Sequence, residues 1–314
     1  MVPILGTIAS SFDDTPSYPN ARGLFGGGYT TAATNINVIQ YITIATTGNT
    51  TDFGDLTQAR RVLAAVGSTT RGVFGAGIPG SGQYSNVLDY VTIDTTGNAT
   101  DFGDLTVSRA DVGALGNSTR GIWAGGYSPS GTNIIDYVTI ASTGNAIDFG
   151  DLLANTNGPV GLSSPTRGVF GSGDAGGITN VIQYITIATT GNATDFGDLT
   201  MVRHGPGGVS SATRGVWMGG YDINDAIVNV IDYITIATTG NATDFGDLAI
   251  ARAIGAGVSS STRGVFGGGY TGSFNRSNIM EYITIASTGN ATDFGDLFDP
   301  TDSVSGCSNG HGGL

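Results

Sequence analysis

The sequence contains no lysine, one cysteine, two histidines and one glutamate. Its 12 lysine-or-arginine positions are therefore all arginine, and 25 acidic residues give a formal net charge of −13. A surface of this sign repels phosphate groups, which argues against nucleic-acid binding and against adsorption to an anionic membrane. The single cysteine, Cys307, excludes an internal disulfide and forms no metal site without other ligands.

Long apolar runs are also absent. No stretch of about 18 apolar residues is available to span a bilayer, so we expect no membrane insertion. The first residues, MVPILGTIASSF, form a short apolar run without a basic leader, unlike a standard signal peptide. For a role outside the cell we therefore expect release by a route other than ordinary secretion, such as lysis of a host.

The chain is instead rich in glycine, with 53 residues, many of them at recurring positions within six copies of one pattern. The last copy reads STRGVFGGGY, a variable loop, then NIMEYITIASTGNATDFGDL. Successive copies are 49, 49, 47, 47 and 49 residues apart, measured between their repeated arginines. These arginines are Arg22, Arg71, Arg120, Arg167, Arg214 and Arg263. A period of about 50 residues made of short β-type runs is typical of a propeller blade.

Each repeat contains four short segments with strand character. They are RGVFGGG, the β-branched run NVIDYITIA, the shorter TDFGDL after a TTGN turn, and a segment such as AIARAIGAGVSSS before the next arginine. No helical period occurs. The sequence therefore predicts an all-β, six-bladed β-propeller over residues 21–314, with four short antiparallel strands per blade.

The two ends of the chain are predicted to have different roles. Residues 298–314 continue about as far as the other connections between repeats, so they can supply the innermost strand of the blade that begins at Arg22. Such pairing of the first and last segments closes the ring. Residues 1–20 match no repeat and are rich in proline and other turn formers. They are predicted to be an N-terminal arm that packs on the ring or attaches to a partner.

The order of these landmarks resembles the kelch-type repeat. In this chain the landmarks are Gly267 and Gly268, Tyr282, Phe294 and, in the preceding repeat, Arg252. Phenylalanine stands where kelch repeats usually place tryptophan, at Phe53, Phe102, Phe149, Phe196, Phe245 and Phe294. The TIATTGNATDFGDL cassette is most similar to glycine-rich kelch-like proteins encoded by tailed bacteriophages, particularly those of marine bacteria. This resemblance implies a virion location, other virion proteins as partners, and a homo-oligomer as one option.

The repeats differ in length at one place only. The spacing from arginine to third-strand tyrosine is 19, 19, 17, 17, 19 and 19 residues, whereas the other landmark spacings are constant. All length changes therefore lie in the loop between the second and third strands. This loop and the connection to the next blade emerge on one face, which we call the varied face. The opposite, nearly six-fold repeated face is the uniform face. A recognition site is expected on the varied face, although unconstrained drift of loops predicts the same pattern.

The varied face offers aromatic rings with amide and charged neighbours, which suit sugar rings and hydroxyls or a protein partner. The candidate ligand-binding residues are Tyr29, Tyr84, Tyr127, Tyr221, Asp222, Asn224, Asp225, Tyr270, Phe274 and Arg276. Several of these tyrosines directly follow a glycine pair, so packing at a strand end is the alternative interpretation.

On the uniform face, the six repeated arginines are predicted to pair with aspartates of the DFGD segment, which would also form Asx turns and fasten neighbouring blades. These aspartates are Asp52, Asp101, Asp148, Asp195, Asp244 and Asp293. Calcium binding by Asn290, Asp293 and Asp296 is an alternative, but no EF-hand loop pattern is present. Six-fold repetition favours a structural role.

The sequence offers few residues from which a catalytic site could be built. The position of Glu281 is Gln or Asp in the other repeats, so it belongs to the strand pattern. The segment TTGNATDF lacks the Asp and Trp of the sialidase turn, and copper chemistry of the galactose-oxidase type has weak support at Cys307. His204 is predicted to be an exposed loop residue. A polysaccharide hydrolase would need two placed carboxylates, which we would seek among Asp174, Asp222 and Asp225.

The sequence therefore predicts a non-enzymatic bacteriophage virion protein of the tail-fibre or surface-adhesin type. It would recognise host-surface glycan or protein through the varied face, without a cofactor or metal. A capsid decoration or scaffold protein without receptor binding is the alternative. A polysaccharide-acting hydrolase and a secreted lectin are more distant alternatives.

Overall fold

The computed structural model describes residues 20–80 and 82–314. Within these ranges the chain has no helix, and it forms six four-stranded antiparallel sheets arranged as a six-bladed propeller. The fold class predicted from the sequence is thus confirmed. No helix of the described residues is long and apolar enough to cross a membrane. The predicted N-terminal arm lies outside the described residues, except for Asn20.

Each blade has an inner, a second, a third and an outer strand, counted from the propeller axis. The inner strands are Ser305–Ser308, Ala64–Gly67, Gly113–Gly116, Val160–Ser163, Gly207–Ser210 and Ala256–Ser259. The second strands are Arg22–Gly26, Arg71–Gly75, Arg120–Ala124, Arg167–Gly171, Arg214–Met218 and Arg263–Gly267. The third strands are Val38–Thr43, Val87–Thr92, Ile134–Thr139, Val181–Thr186, Val230–Thr235 and Ile279–Thr284. The outer strands are Thr51–Asp55, Thr100–Asp104, Ile147–Asp151, Thr194–Asp198, Thr243–Asp247 and Thr292–Asp296.

Short ladders that the repeat pattern does not predict join the loops of the varied face. Two of them connect a loop with an interblade connection, and the third is a small hairpin. Their strands are Tyr29–Thr30 with Thr301–Asp302, Arg203–His204 with Tyr221–Asp222, and Tyr270–Gly272 with Asn275–Arg276.

The C-terminal segment closes the ring as predicted. Ser305–Ser308 pairs with Arg22–Gly26 as the inner strand of blade 1. The side-chain oxygen of Asn309 accepts a hydrogen bond from the Arg22 backbone N–H at 2.7 Å. Asn117 makes the equivalent bond to Arg120 at 2.9 Å within an unbroken turn of blade 3. The junction between Asn309 and Arg22 therefore reproduces the Asn117–Arg120 turn, which blade 3 forms within a continuous chain.

The last residues fill the axis at the uniform face. The Nε2 atom of His311 lies 2.8 Å from the Gly67 carbonyl oxygen, and its Nδ1 accepts from the Gly313 N–H at 3.0 Å. A Cβ on Gly313 would lie 2.0 Å from the Gly116 carbonyl oxygen, so only glycine fits there. Part of the His311 ring borders a small axial cavity, but the surrounding strands bury it and lower its pKa. The tail thus blocks this end of the axis.

The repeated arginines contact tyrosine rings and the next blade. In blade 1, the guanidinium carbon of Arg22 lies 4.6 Å from the centre of the Tyr41 ring. Its Nη1 donates to the carbonyl oxygen of Ile93 in blade 2 at 3.0 Å. Equivalent contacts are made by Arg71, Arg120, Arg167, Arg214 and Arg263. Each arginine therefore fastens its blade to the following one.

The predicted pairing of these arginines with aspartates is wrong. In every sheet the third strand lies between the second and outer strands, so each arginine meets the third-strand tyrosine first. Among the described residues, no ion pair involves the aspartates concerned, and their side chains are exposed. These aspartates are Asp52, Asp101, Asp148, Asp195, Asp244 and Asp293. The expected fastening of neighbouring blades exists, but by other contacts.

The TGN turn of each blade covers the outer edge of the preceding blade. In the first such contact, the Gly97 and Ala99 N–H groups donate to the carbonyl oxygens of Phe53 and Asp55, both at 2.7 Å. The side chain of Asn98 accepts from the Asp55 N–H at 3.1 Å. The same three bonds recur around the ring, and the asparagines are Asn49, Asn98, Asn145, Asn192, Asn241 and Asn290. No outer strand is left as a free edge along this stretch, which explains the near-identity of the cassette.

Gly54→Ala is expected to destabilise the protein more than Gly97→Ala. A Cβ on Gly54 would lie 2.4 Å from the Gly97 carbonyl oxygen, whereas a Cβ on Gly97 has nothing within 4 Å. Both glycines have positive φ, of 145° and 157°, so both substitutions carry a backbone cost of about 1–3 kcal/mol. The clash adds about 1–3 kcal/mol at Gly54 alone. Guanidinium denaturation of the two variants measures the difference, and equal losses would contradict this contact.

Four further arginines form buried ion pairs between the interblade connection and the third strand. The pairs are Arg60–Asp89, Arg109–Asp136, Arg203–Asp232 and Arg252–Glu281, with Nη2–oxygen distances of 2.5–2.8 Å. All four guanidinium groups are fully buried. Glu281 lies within a third strand, which confirms its place in the strand pattern.

Two blades replace this ion pair by a neutral pair. At the equivalent positions of the repeat, Thr156 occurs with Gln183 and Thr301 occurs with Gln40. Each threonine hydroxyl donates to a backbone carbonyl oxygen of its own connection, that of Ala154 or Asp299. The longer Gln183 side chain accepts from the Leu153 backbone N–H at 2.8 Å. In the aspartate blades, a threonine hydroxyl fills this place, at Thr57, Thr106 and Thr200. The repeats thus fill the space between the interblade connection and the third strand in two ways, with a buried ion pair in four blades and with neutral residues in two.

Apolar residues form one cluster at each junction between blades. Val66 and Val73 of blade 2, for example, pack with Trp123 and Val138 of blade 3. The phenylalanine of each outer strand is buried, with its ring edge-on to the third-strand tyrosine at 5.7–6.1 Å. The core is therefore distributed around the ring, and the loops of the varied face are held on a rigid base.

Candidate functional site

A cavity of about 630 Å³ opens on the varied face near the axis. We call it the cup. Its walls come from the loops of blades 2–5 and the neighbouring connections: Ile78, Tyr84, Ala110, Tyr127, Asn157, Asp174, His204, Tyr221 and Asp225. Its floor consists of Val62, Asp111, Gly158, Gly205, Ile254 and Ser303. This volume lies within the range of small-molecule sites, about 300–1,000 Å³.

The floor is a ring of equivalent residues, one from each interblade connection, which we call the axial ring. All six have φ between 51° and 64°. In five of the six junctions, the N–H of one member donates to the carbonyl oxygen of the previous member at 2.7–3.1 Å. The junction from Gly158 to Gly205 is the exception. The positive φ values thus turn the backbone so that the six connections meet around the axis.

The axial ring is conformationally strained. Val62 and Ile254 are β-branched and occupy the left-handed region, which is rare for such residues. Each residue held in this way costs about 1–3 kcal/mol, and strain of this kind concentrates at ligand-binding and catalytic sites. Glycine would be free of this strain, and two members of the ring are indeed glycine. The side chains at the other four positions shape the floor of the cup.

The aromatic walls form two groups. Tyr84 and Tyr127 lie edge to face with ring centres 5.7 Å apart, and His204 stacks on Tyr221 at 5.0 Å. Burial raises the pKa of Tyr221 to about 12, with further contributions from Tyr270, Asp302 and Asp225. The Tyr221 hydroxyl therefore remains protonated at neutral pH and is available as a hydrogen-bond donor.

Three carboxylates line the cup. Asp174 accepts hydrogen bonds from the Gly176 and Gly177 N–H groups of its own loop, at 3.0 and 2.7 Å. The Oδ1 atom of Asp225 lies 3.8 Å from Nε2 of His204. Asp111 rises from the floor, and within the described residues it has neither a hydrogen-bond donor nor an arginine in direct contact.

The Asp111 side chain is open to the cup and partly enclosed by the surrounding blades. Its side chain is exposed to the space of the cup, yet the blades around the axis surround it on most sides. This enclosure raises the pKa of the Asp111 carboxyl; His204 acts in the opposite direction, and Asp174 raises it further. A ligand that enters the cup can therefore reach the Asp111 carboxylate.

The part of the varied face over blades 6 and 1 is filled by side chains. The guanidinium groups of Arg61 and Arg276 both lie over the ring of Tyr29, at 4.5 and 4.7 Å from its centre. The Nε atom of Arg276 is 2.7 Å from Oδ2 of Asp302. This packing places the cup to one side of the axis.

The structure brings together only some of the predicted ligand-binding residues. Tyr84, Tyr127, Tyr221 and Asp225 line the cup. Tyr29 and Arg276 pack against each other outside it, and Tyr270 lies beside Tyr221 with ring centres 6.4 Å apart.

Of the remaining predicted residues, Asp222 ends the short strand Tyr221–Asp222, and Asn224 and Phe274 lie on exposed loops. Asp222 accepts from the Asn224 and Ala226 N–H groups, which lowers its pKa and shows a role within its own turn. Phe274 is 89% exposed, and Ile223 on the neighbouring loop is 68% exposed. An exposed phenylalanine at a loop tip is available to contact a partner.

Two cup residues were underestimated or missed by sequence reasoning. His204 was predicted to be an exposed loop residue, but it is half-buried and stacked on Tyr221. Asp111 was not selected, since nothing local distinguishes it from other aspartates. One signal was available: among the six equivalent axial-ring positions, Asp111 is the only charged residue.

Two of the three carboxylates considered above for a hydrolase, Asp174 and Asp225, line the cup together with Asp111 and His204. No group of three or more His, Cys, Asp or Glu residues in the described ranges could hold a metal ion. Asn290, considered above as a calcium ligand, uses its side-chain oxygen to accept from the Asp247 N–H at 3.1 Å.

No model of a known protein family matches the sequence, and no curated protein shows significant sequence similarity to it. The function must therefore be argued from the cup and from the differences between the repeats.

Proposed function

We propose that the protein is a non-enzymatic recognition module of a bacteriophage particle, of the tail-fibre or surface-adhesin type, which binds a host-surface glycan through the varied face. The observation that carries the proposal is the cup. It lies where the length changes and most sequence differences of the repeats occur, and tyrosine rings and carboxylates line it. Such walls suit the apolar faces and hydroxyl groups of sugars.

The rest of the molecule supports a binding role. The uniform face and the junctions between blades use the same contacts six times, so the scaffold is rigid. The strained residues of the axial ring lie at the floor of the cup, where a fixed shape favours binding. The virion location and the partnership with other virion proteins depend on the resemblance to phage-encoded kelch-like repeats. Attachment would involve residues 1–20 or the uniform face.

Binding of the purified chain to a panel of marine bacterial cells, and to an array of their surface glycans, tests this proposal. Tyr127→Ala removes a cup residue that is 39% exposed, and Ile147→Ala is a control on an exposed outer-strand residue, 56% exposed. We expect Tyr127→Ala to weaken binding by about tenfold or more, since well-placed aromatic residues dominate binding energy. Ile147→Ala should bind like the parent.

A broader variant replaces the loops Tyr221–Val228 and Tyr270–Arg276 with Gly/Ser. Loss of binding in this variant, with an unchanged thermal midpoint, would support a site on the varied face. A folded parent protein that binds neither cells nor glycans would contradict the adhesin function. It would favour instead a capsid decoration or scaffold role.

A further inference from the structure

The charge of the cup restricts the kind of ligand that it can hold. Three carboxylates, of Asp111, Asp174 and Asp225, line it, and no arginine does. His204 is the only basic side chain of the lining, so the cup remains negative even if His204 is protonated. Carboxylates in an enclosed space strongly disfavour an anionic ligand and favour a cation.

All 12 arginines of the chain make their contacts outside the cup. Six fasten neighbouring blades, four form the buried ion pairs, and Arg61 and Arg276 pack on the ring of Tyr29. Since the chain has no lysine, no side chain of the described protein other than His204 can supply a positive charge to the cup. A cation other than His204 that pairs with the Asp111 carboxylate would therefore come from outside the described chain.

The aromatic walls suit the same class of ligand. Tyr84, Tyr127 and Tyr221 line the same cavity as Asp111. The faces of aromatic rings attract ammonium and guanidinium groups, and the attraction is stronger in a site shielded from water.

We propose that the cup binds the free ammonium group of an amino sugar in the host-surface glycan, with Asp111 as the principal charge partner and the tyrosines as the wall against the sugar ring. This inference builds on the proposed function and specifies its ligand. It distinguishes a free amine from its N-acetylated form, which has a similar shape but no charge.

Titration of the full chain with glucosamine, N-acetylglucosamine and glucose, followed by calorimetry or by NMR, tests the proposal. We expect glucosamine to bind about tenfold or more tightly than the other two sugars. Its affinity should fall as salt is raised, because the attraction is between charges. Asp111→Asn should abolish the preference for glucosamine. Asp52→Asn, which changes an exposed aspartate of an outer strand, should leave it unchanged.

The outcomes separate this inference from the proposed function. Equal binding of glucosamine and N-acetylglucosamine, or a preference that survives Asp111→Asn, would overturn the ammonium site. Host-cell binding that depends on Tyr127 would then still support glycan recognition. Binding of a lysine peptide without binding of glucosamine would overturn the assignment to a glycan. A matched thermal midpoint for Asp111→Asn and the parent excludes misfolding as the cause of any loss.

Discussion

Asp136→Ala is expected to lower the free energy of unfolding by about 3–5 kcal/mol, because it leaves the buried guanidinium group of Arg109 without its counter-charge. The Arg109 side chain is fully buried, and its Nη2 lies 2.8 Å from Oδ2 of Asp136. The remaining partners of Arg109 are the carbonyl oxygens of Ile134 and Trp123, at 3.1 and 3.3 Å. These neutral groups compensate only part of the charge.

The intact ion pair is itself a modest source of stability. Burial lowers the pKa of Arg109 and raises the pKa of Asp136, and in each case it outweighs the attraction between the two groups. Removing one partner of such a pair lowers the free energy of unfolding strongly, whereas replacing both partners by well-packed neutral residues changes it little. The chain contains that neutral set in blade 4, where Leu153, Thr156 and Gln183 occupy the equivalent positions.

The triple variant Thr106→Leu, Arg109→Thr and Asp136→Gln gives blade 3 the same residue types that blade 4 has at the equivalent positions. We expect it to recover most of the stability that Asp136→Ala loses, ending within about 1–2 kcal/mol of the parent. Both blades belong to the shorter repeats, with 17 residues between arginine and tyrosine, so the spacing of the set is matched. Guanidinium denaturation of parent, single and triple variants measures the three values. A triple variant no more stable than Asp136→Ala would show that the two sets are not interchangeable.

The positions of the strands could be predicted from the sequence because six copies repeat the same alternation of β-branched and small residues. Closure of the ring also followed from the repeat, since residues 298–314 continue the pattern by one inner strand. The residues that form the buried ion pairs, and the neutral residues that replace them, could also be recognised in the sequence. Arginine occurs with Asp or Glu in four repeats, and threonine occurs with Gln in two, although the two positions lie far apart along the chain.

The partners of the repeated arginines could not be derived in the same way. Their prediction considered only that arginine and aspartate would lie on one face, and omitted the third strand that separates them in the sheet. The role of Asp111 was also beyond sequence reasoning. Its depth results from six connections that converge on the axis with positive φ, and no single repeat contains that information.

Ending the chain at Val304 is expected to have the largest effect on the fold. It removes the inner strand Ser305–Ser308, which pairs with Arg22–Gly26 and contacts the inner strands of both neighbouring blades. Cys307 is buried in the cluster that joins blades 1 and 2, so its loss also leaves a gap beside Leu24 and Phe74. We expect a loss of about 5 kcal/mol or more, comparable to the whole stability of many proteins, with aggregation through the exposed edge.

A chain that ends at Gly310 is the matched control, because it retains the closing strand and Asn309 and lacks only the axial tail. Its loss should be smaller, since it gives up the bonds of His311 and Gly312 to the inner strands of other blades while the ring remains closed. Adding the peptide 305–314 to the shorter chain should restore folding by strand addition, since the edge it would occupy is otherwise unpaired. Thermal unfolding and hydrogen exchange at Arg22–Gly26 measure both effects. Equal thermal midpoints for the two truncated chains would contradict the view that this strand holds the ring together.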